Sequence, residues 1–445
     1  MHPISGILSW MPPSKVVRPP RYTKSSFDLQ QIPWWDTLRV RRSDARQLRD
    51  LWYIPYTNLN YSPRYARIIP ARETYFCEKS MYTKHKATVV HFQLRNLMSV
   101  TSYDTVEFSR ESRLYAWHPA YDELQCLIDL SRPGPETGFQ QRVKISSMCS
   151  RHEISVAGGF CGEYALRAAG TEDDATAVTT GFVTQNPNGI TNHIDLVRHR
   201  TAGTPVVVFA SNDKHLRLLD CETNTFLADQ SLPWAVNCTA TSSDGRLRVA
   251  IGDSPDAWVI EADSGRAVQT LHGHRDFGFA CAWSPDLRHI ATSNQDKTVI
   301  IWDTRMWRAL ETLESDVAGY RSLRFSPVGG GPRTLLLCEP ADRVAVVCAQ
   351  TFRSRQVHDF FGEIGGGDYS PDGGCIWVAN TDRHFGGFMQ FDRRQWGQRY
   401  GPGGLPVEWR PEALLDADPR CVLSARERHL RFTWSRDDEP DDLLL

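Results

Sequence analysis

A chain of 445 residues is longer than a usual single domain, and 41% hydrophobic with 11% aromatic residues supplies enough apolar mass for a sizeable core. Lys and Arg (51) nearly balance Asp and Glu (53), a net charge of -2 that excludes a chain basic or acidic throughout. Eleven scattered cysteines form no CxxC pair and no Cys/His group at zinc spacing, so neither a metal nor a disulfide framework is expected, and a reducing compartment, cytoplasmic and/or nuclear, is. The opening MHPISGILSWMPPSK has too short an apolar run and too early a proline pair for a signal peptide, and no stretch reaches bilayer length, so no membrane role is expected.

The charge is unevenly spread. Residues 1–72 carry twelve Lys and Arg against four Asp, a balance of +8, which leaves -10 for residues 73–445. Residues 1–33, with Pro12-Pro13 and Pro19-Pro20, read as an extended arm. Residues 34–54 predict one short helix, because Leu38, Leu48, Leu51 and Trp52 recur near helical spacing, with Asp44 able to cap its second half. The aromatic residues between Trp34 and Tyr65 are too many for a solvated tail, so this basic, Pro- and aromatic-rich extension (1–72) is expected to be partly ordered, against the body of the protein or a partner.

From residue 73 the pattern turns to short apolar runs with turn residues between them and no room for helices. The turn after the first strand of each unit falls at Asp244-Gly245, Asp286-Leu287, Val328-Gly329 and Asp372-Gly373, at spacings of 42, 42 and 44 residues. A second landmark, at Asp220, Asp263, Asp303, Ala349 and Asp392, keeps steps of 43, 40, 46 and 43. Five units therefore end near residues 229, 271, 315, 359 and 400. A sixth lies at 97–130 and a weaker seventh at 143–182, the latter stretched by a Thr-, Ala- and Asp-rich insertion at 170–188 that reads as loop.

One unit is complete. Residues 271–305 run LHGHRDFGFACAWSPDLRHIATSNQDKTVIIWDTR, opened by Gly273-His274 and closed by Trp302-Asp303, with Trp283-Ser284-Pro285-Asp286 and Asn294-Gln295-Asp296-Lys297 as turns. This stretch resembles a WD repeat, one four-stranded blade of a β-propeller, and the two periods match the repeat length of that family. The resemblance implies an all-β, seven-bladed propeller over 73–432, with an acidic tail at 433–445. It also implies that His274, Thr292 or Ser293, Asp296 and Trp302 form a buried hydrogen-bonded chain within the blade, a structural role rather than a catalytic one. In the other units the Trp slot holds Leu219, Ala262, Cys348 and Phe391, so those blades must rely on strand pairing and apolar packing. In this family the ring is usually closed by strands from both termini; the candidates are 74–81 and 420–432. The whole chain also resembles uncharacterised WD-repeat proteins of fungi and plants.

Catalytic signatures are missing: no P-loop, no GxGxxG after a strand, no HExxH and no nucleophile elbow. Gly329-Gly330-Gly331 and Gly365-Gly366-Gly367 read as turns in blade loops, and His193 and His199 stand at no ligand spacing. The expectation is a non-enzymatic scaffold for protein-protein interaction, without a cofactor. Ile290 to Arg305 further resembles the extended WDxR box of substrate receptors that dock on the adaptor of cullin-RING ubiquitin ligases, with Asp303 and Arg305 in the contact. The alternative is an RNA- or chromatin-associated assembly factor that uses the basic residues within 1–49: Lys15, Arg18, Arg21, Lys24, Arg39, Arg41 and Arg42.

Overall fold

A computed structural model describes residues 12–19, 27–55, 67–71, 73–135, 137–170, 178–329 and 331–394. The candidate closing strand at 420–432 and the tail at 433–445 lie outside the described residues. Strand-forming runs, each ended by turn residues, build five four-stranded antiparallel sheets, at 98–129, 145–182, 191–231, 236–271 and 278–314, and one eight-stranded sheet. In each four-stranded sheet the chain steps from strand to neighbouring strand by hairpins. Part of the expected insertion loop is itself a strand: Val178–Phe182 pairs with Glu163–Ala168 as the last strand of its sheet.

The eight-stranded sheet holds two such meanders on one shared strand. Arg355–Tyr369 pairs at its start with Ala341–Cys348 and at its end with Cys375–Asn380. Gly362, at φ +135, sits where that strand changes partners, and a Cβ there would meet the Asn380 side chain. The glycines read as a turn at Gly365–Gly367 therefore lie within a strand. The physical reason is close approach: a Cβ on Gly366 would lie 3.1 Å from the Arg95 carbonyl, and one on Gly367 would lie 2.7 Å from Cys338 Sγ. Closure comes from the N-terminal side. Phe76–Tyr82 pairs with Gly387–Arg393, and Lys15–Val17 adds outside it. The outer partner of Gly387–Arg393 is thus this early strand rather than residues running on toward 400.

The first strands of the successive meanders touch one another in a cycle. Met98–Ser102 meets Ile145–Arg151, then Thr191–Arg198, Val236–Thr241, Gly278–Trp283, Ser322–Phe325 and Arg355–Tyr369, which returns to Met98–Ser102. Apolar layers fill the spaces between adjoining sheets. Ala291, Val299 and Ile301, for example, pack with Leu323, Leu335, Leu337 and Val347. Each of these Val, Ile and Leu side chains contributes about 1.5–3 kcal/mol by leaving water. Polar ties join the inner strands as well: Ser146 Oγ donates to the Thr191 carbonyl (2.7 Å), Asn192 Nδ2 to that of Val236 (2.9 Å) and Asn237 Nδ2 to that of Gly278 (3.0 Å). Asp195 accepts from the Thr241 amide (3.0 Å) and Asp368 from the Val100 amide (3.2 Å).

The described parts of the N-terminal extension form a strap along this ring. Phe27 and Leu29 join the core of the eight-stranded sheet, and Trp34 packs on Phe361 with ring centroids 4.5 Å apart. The expected helix spans Arg42–Tyr53; Asp44 lies in its first turn and favours the helix dipole there, but no side chain caps it. Residues 67–71 then run beside the outer strands of two meanders, with Arg67 bridged to Leu313 and Ala71 to Arg355.

Candidate functional site

In the complete repeat the polar residues meet within one sheet. His274 Nε2 lies 2.8 Å from Thr292 Oγ1, which also accepts from Trp302 Nε1 at 2.9 Å. His274 Nδ1 lies 3.1 Å from Asp296 Oδ2 and 3.0 Å from Thr298 Oγ1. Asp296 further accepts from the amides of Arg275 (2.9 Å) and Thr298 (3.0 Å), so its lone pairs are met. Burial would raise its pKa, but the bonds from His274 and Thr298 prevail and hold the carboxyl below the usual range. Gly273 has no side chain because the Trp302 ring packs on it: a Cβ would lie 2.9 Å from Ile300 Cδ1 and 3.2 Å from Trp302 Cη2. Ser293 is not part of the chain. On a strand, neighbours point to opposite faces, so Ser293 turns to the next sheet and donates to the Tyr320 carbonyl at 2.8 Å. Thr298, two residues beyond Asp296 and first in the strand Thr298–Asp303, takes a place in the network that the sequence reading missed; its position beside His274 is set by the turn and not by the motif.

The side chains of His274 and Asp296 are 1% and 2% exposed, so this acid-base pair is sealed from any substrate. At the other end of Thr298–Asp303, the Arg305 side chain is 74% exposed and folds back on Asp303, with Nη2 to Oδ2 at 2.7 Å, Nε to Oδ1 at 3.2 Å and the Arg305 amide to Oδ1 at 2.8 Å. That bonding holds the Asp303 carboxyl far below its usual range. Met306, next in the turn, is 64% exposed.

Four cations of the basic extension, Arg18, Arg42, Arg46 and Arg49, meet carboxylates within the molecule. Arg46 reaches Asp342 at 2.8 Å and Asp359 at 2.5 Å, Arg42 reaches Asp359 at 3.0 Å, and Arg49 reaches Asp342 at 2.7 Å. Arg343 returns the contact, to Asp50 at 2.8 Å. The guanidinium of Arg46 also lies 4.0 Å above the Phe361 ring. Burial works against the charge of Arg49 and Arg343, yet their carboxylate partners hold both pKa values above normal. Of the cations considered for nucleic acid, Arg42 is thus buried on Asp359 and Arg18 faces Glu78 at 3.7 Å, while Lys15, Arg39 and Arg41 are exposed. Arg21 and Lys24 lie outside the described residues. His193 is buried and His199 is in an exposed turn. Among the described residues no three His, Cys, Asp or Glu side chains are grouped to hold a metal ion, and no helix is long and apolar enough to cross a membrane.

The matched repeat, the antiparallel four-stranded sheets and the cycle of inner strands define a β-propeller of the WD-repeat class. Residues 265–303 match the family model described as WD domain, G-beta repeat, so this stretch is similar to one repeat of that family. It is 24% identical over 325 residues to an uncharacterized protein of Schizosaccharomyces pombe, a match covering 67% of this chain and 88% of that one. It is 27% identical to nuclear distribution protein nudF of Aspergillus niger over 32% of this chain and 37% of that one, and 27% identical to WD repeat-containing protein VIP3 of Arabidopsis thaliana over 37% and 60%. Among solved structures, a chain from "Crystal Structure of Mitotic Checkpoint Complex" superposes with a TM-score of 0.56 at 17% identity, covering 76% of this chain and 95% of that one, which shows the shared fold.

Proposed function

We propose that this protein is a non-catalytic platform on which other proteins assemble, built on a ring of seven blades with the described parts of the N-terminal extension as part of its rim. The observation that carries the reading is the burial of the His274–Asp296 pair. The acid-base residues of the complete repeat are spent on holding the blade, while turn residues such as Arg305 and Met306 stand in solvent on a rigid scaffold. Its relatives by sequence include proteins whose names place them in nuclear distribution and among WD-repeat proteins, in keeping with this class.

The finer reading is that the turn after Trp302 docks on the adaptor of a cullin-RING ubiquitin ligase, through Asp303 and Arg305. Asp303 orients the guanidinium and leaves part of its donor fork to a partner carboxylate. Affinity purification of the tagged protein and its Arg305→Ala variant from its own cells tests it. Capture of a ligase adaptor by the first and not the second, with the melting temperature unchanged, is the expected result. Capture of ribosomal or chromatin proteins by both would remove the adaptor reading and favour the assembly-factor alternative through Lys15, Arg39 and Arg41.

A further inference from the structure

The strand Arg355–Tyr369 serves two meanders, and where it passes from one to the other its ladder has a gap. Asp359 lies opposite Arg343 and Glu363 opposite Ala341, while the pairing with Cys375–Asn380 begins at Ile364, so Phe360, Phe361 and Gly362 have no residue across from them. All three are buried, and backbone groups that leave a ladder inside a protein need other partners. The strap supplies them. Gln30 offers its side-chain amide to Phe361 as a neighbouring strand would: Oε1 accepts from the Phe361 amide at 2.6 Å, and Nε2 donates to the Phe361 carbonyl at 2.6 Å and to that of Phe385 at 3.0 Å. Arg46 Nη2 donates to the Phe360 carbonyl at 2.6 Å. The Gly362 amide donates to Asp342 Oδ1 at 2.7 Å, and Asp342 is the carboxylate that Arg46 and Arg49 hold. From the ring itself, Asn380 Nδ2 adds a second donor to the Phe361 carbonyl at 2.8 Å.

The strap also roofs this joint. The Phe361 ring packs between Trp34 and the Arg46 guanidinium, and Ile32 and Phe385 complete the cluster. The helix Arg42–Tyr53 contributes little apolar surface of its own. Its buried residues are Arg42, Arg46 and Tyr53, whereas Leu48, Leu51 and Trp52 are 53%, 60% and 75% exposed. It is therefore held by ion pairs and hydrogen bonds to Asp342, Asp359 and Phe360, while the ring is held by apolar layers. A segment with few buried apolar contacts belongs to the less stable parts of a protein, which open before the whole unfolds.

We propose that residues 27–53 are a latch on the ring: they lift as a unit, and the joint at Phe360–Gly362 opens in the same event, because the Phe360 carbonyl and the Phe361 amide lose these partners when the strap goes. Whatever draws the strap away therefore loosens the ring at one place, between the two meanders that share Arg355–Tyr369. The inference does not depend on the platform reading. Hydrogen exchange of the full chain tests it, read by mass spectrometry with fragmentation that resolves single amides, over a series of urea concentrations below the unfolding transition. The amides of 42–53 and those of Phe361 and Gly362 are expected to open together, with one urea dependence, before those of a ring strand such as His289–Asn294. Gln30 bonds to Phe361 and Phe385 and makes no hydrogen bond to the helix among the described residues. In Gln30→Ala, exchange should nevertheless quicken about tenfold or more across 42–53 as well as at Phe361. Should that variant fail to fold, the urea series on the native chain still decides. Faster exchange at Phe361 alone, opening of the helix while Phe361 and Gly362 stay as slow as the ring, or opening of both only together with the whole ring overturns the proposal.

Discussion

Thr292 Oγ1 is shared by two ring nitrogens, so it is the residue through which His274 and Trp302 sense each other. Thr292→Val keeps the shape and removes both contacts; the buried groups left unpaired should cost about 1–3 kcal/mol in urea denaturation. His274→Ala and Asp296→Ala should each cost a similar amount, and together less than the sum, because each removes the other's partner. Ser293→Ala should cost only its own bond to Tyr320, about 0.5–1.5 kcal/mol. The carboxylates give a pH dependence of definite sign. Asp296 and Asp303 titrate below the ordinary 3.8 in the folded chain, so the folded state binds fewer protons than the unfolded one. Their contribution is fully present above that pH and is lost as the pH falls through the folded values, so the gap in melting temperature between the native chain and an Asp296→Asn, Asp303→Asn variant should hold from neutral pH down to about 4 and close below it.

Helix Arg42–Tyr53 shows what a sequence can and cannot reveal at the scale of an element. Its existence was legible from the spacing of Leu48, Leu51 and Trp52, but the same spacing suggests that those residues face inward. The partners that reverse it, Asp342 and Asp359, are about three hundred positions away and look like ordinary turn and strand residues. The complete repeat was legible in full except for Thr298 and the choice between Thr292 and Ser293, because a motif records which residue types a network needs and not which face a strand offers. The glycines at 365–367 misled for a related reason: the close approach that demands them comes from Arg95 and Cys338, far off in sequence. Breaking a buried pair from one side leaves an uncompensated charge, so Asp359→Asn should cost about 3–5 kcal/mol and raise amide exchange across 42–53 first. A fall in stability without faster exchange in the helix would show that Asp359 serves the sheet instead.

For the whole molecule, repetition was the readable quantity, since two landmarks kept one period even where the Trp slot had decayed to Leu219 or Cys348. What holds the decayed sheets together was not readable. The ties from Ser146, Asn192 and Asn237 to neighbouring inner strands use residue types common in any turn-rich chain. The ring depends on its last pairing: Met81 is 2% exposed against the strand that contains Met389, and Met81→Asp should destabilise the fold by about 3 kcal/mol or more, seen as a lower denaturation midpoint.

That pairing joins Phe76–Tyr82 to Gly387–Arg393, two strands made far apart in the order of synthesis. At ribosomal speeds of about 5–20 residues per second, the earlier strand waits roughly 15–60 s for the later one. During that time an apolar edge, with Phe76 and Met81 among its residues, has no mate, and the sheet it will finish does not exist. The ring therefore closes only after residue 393 has been made, and variants at either strand should reduce the yield of folded protein made in cells by more than they reduce the stability of the protein that succeeds.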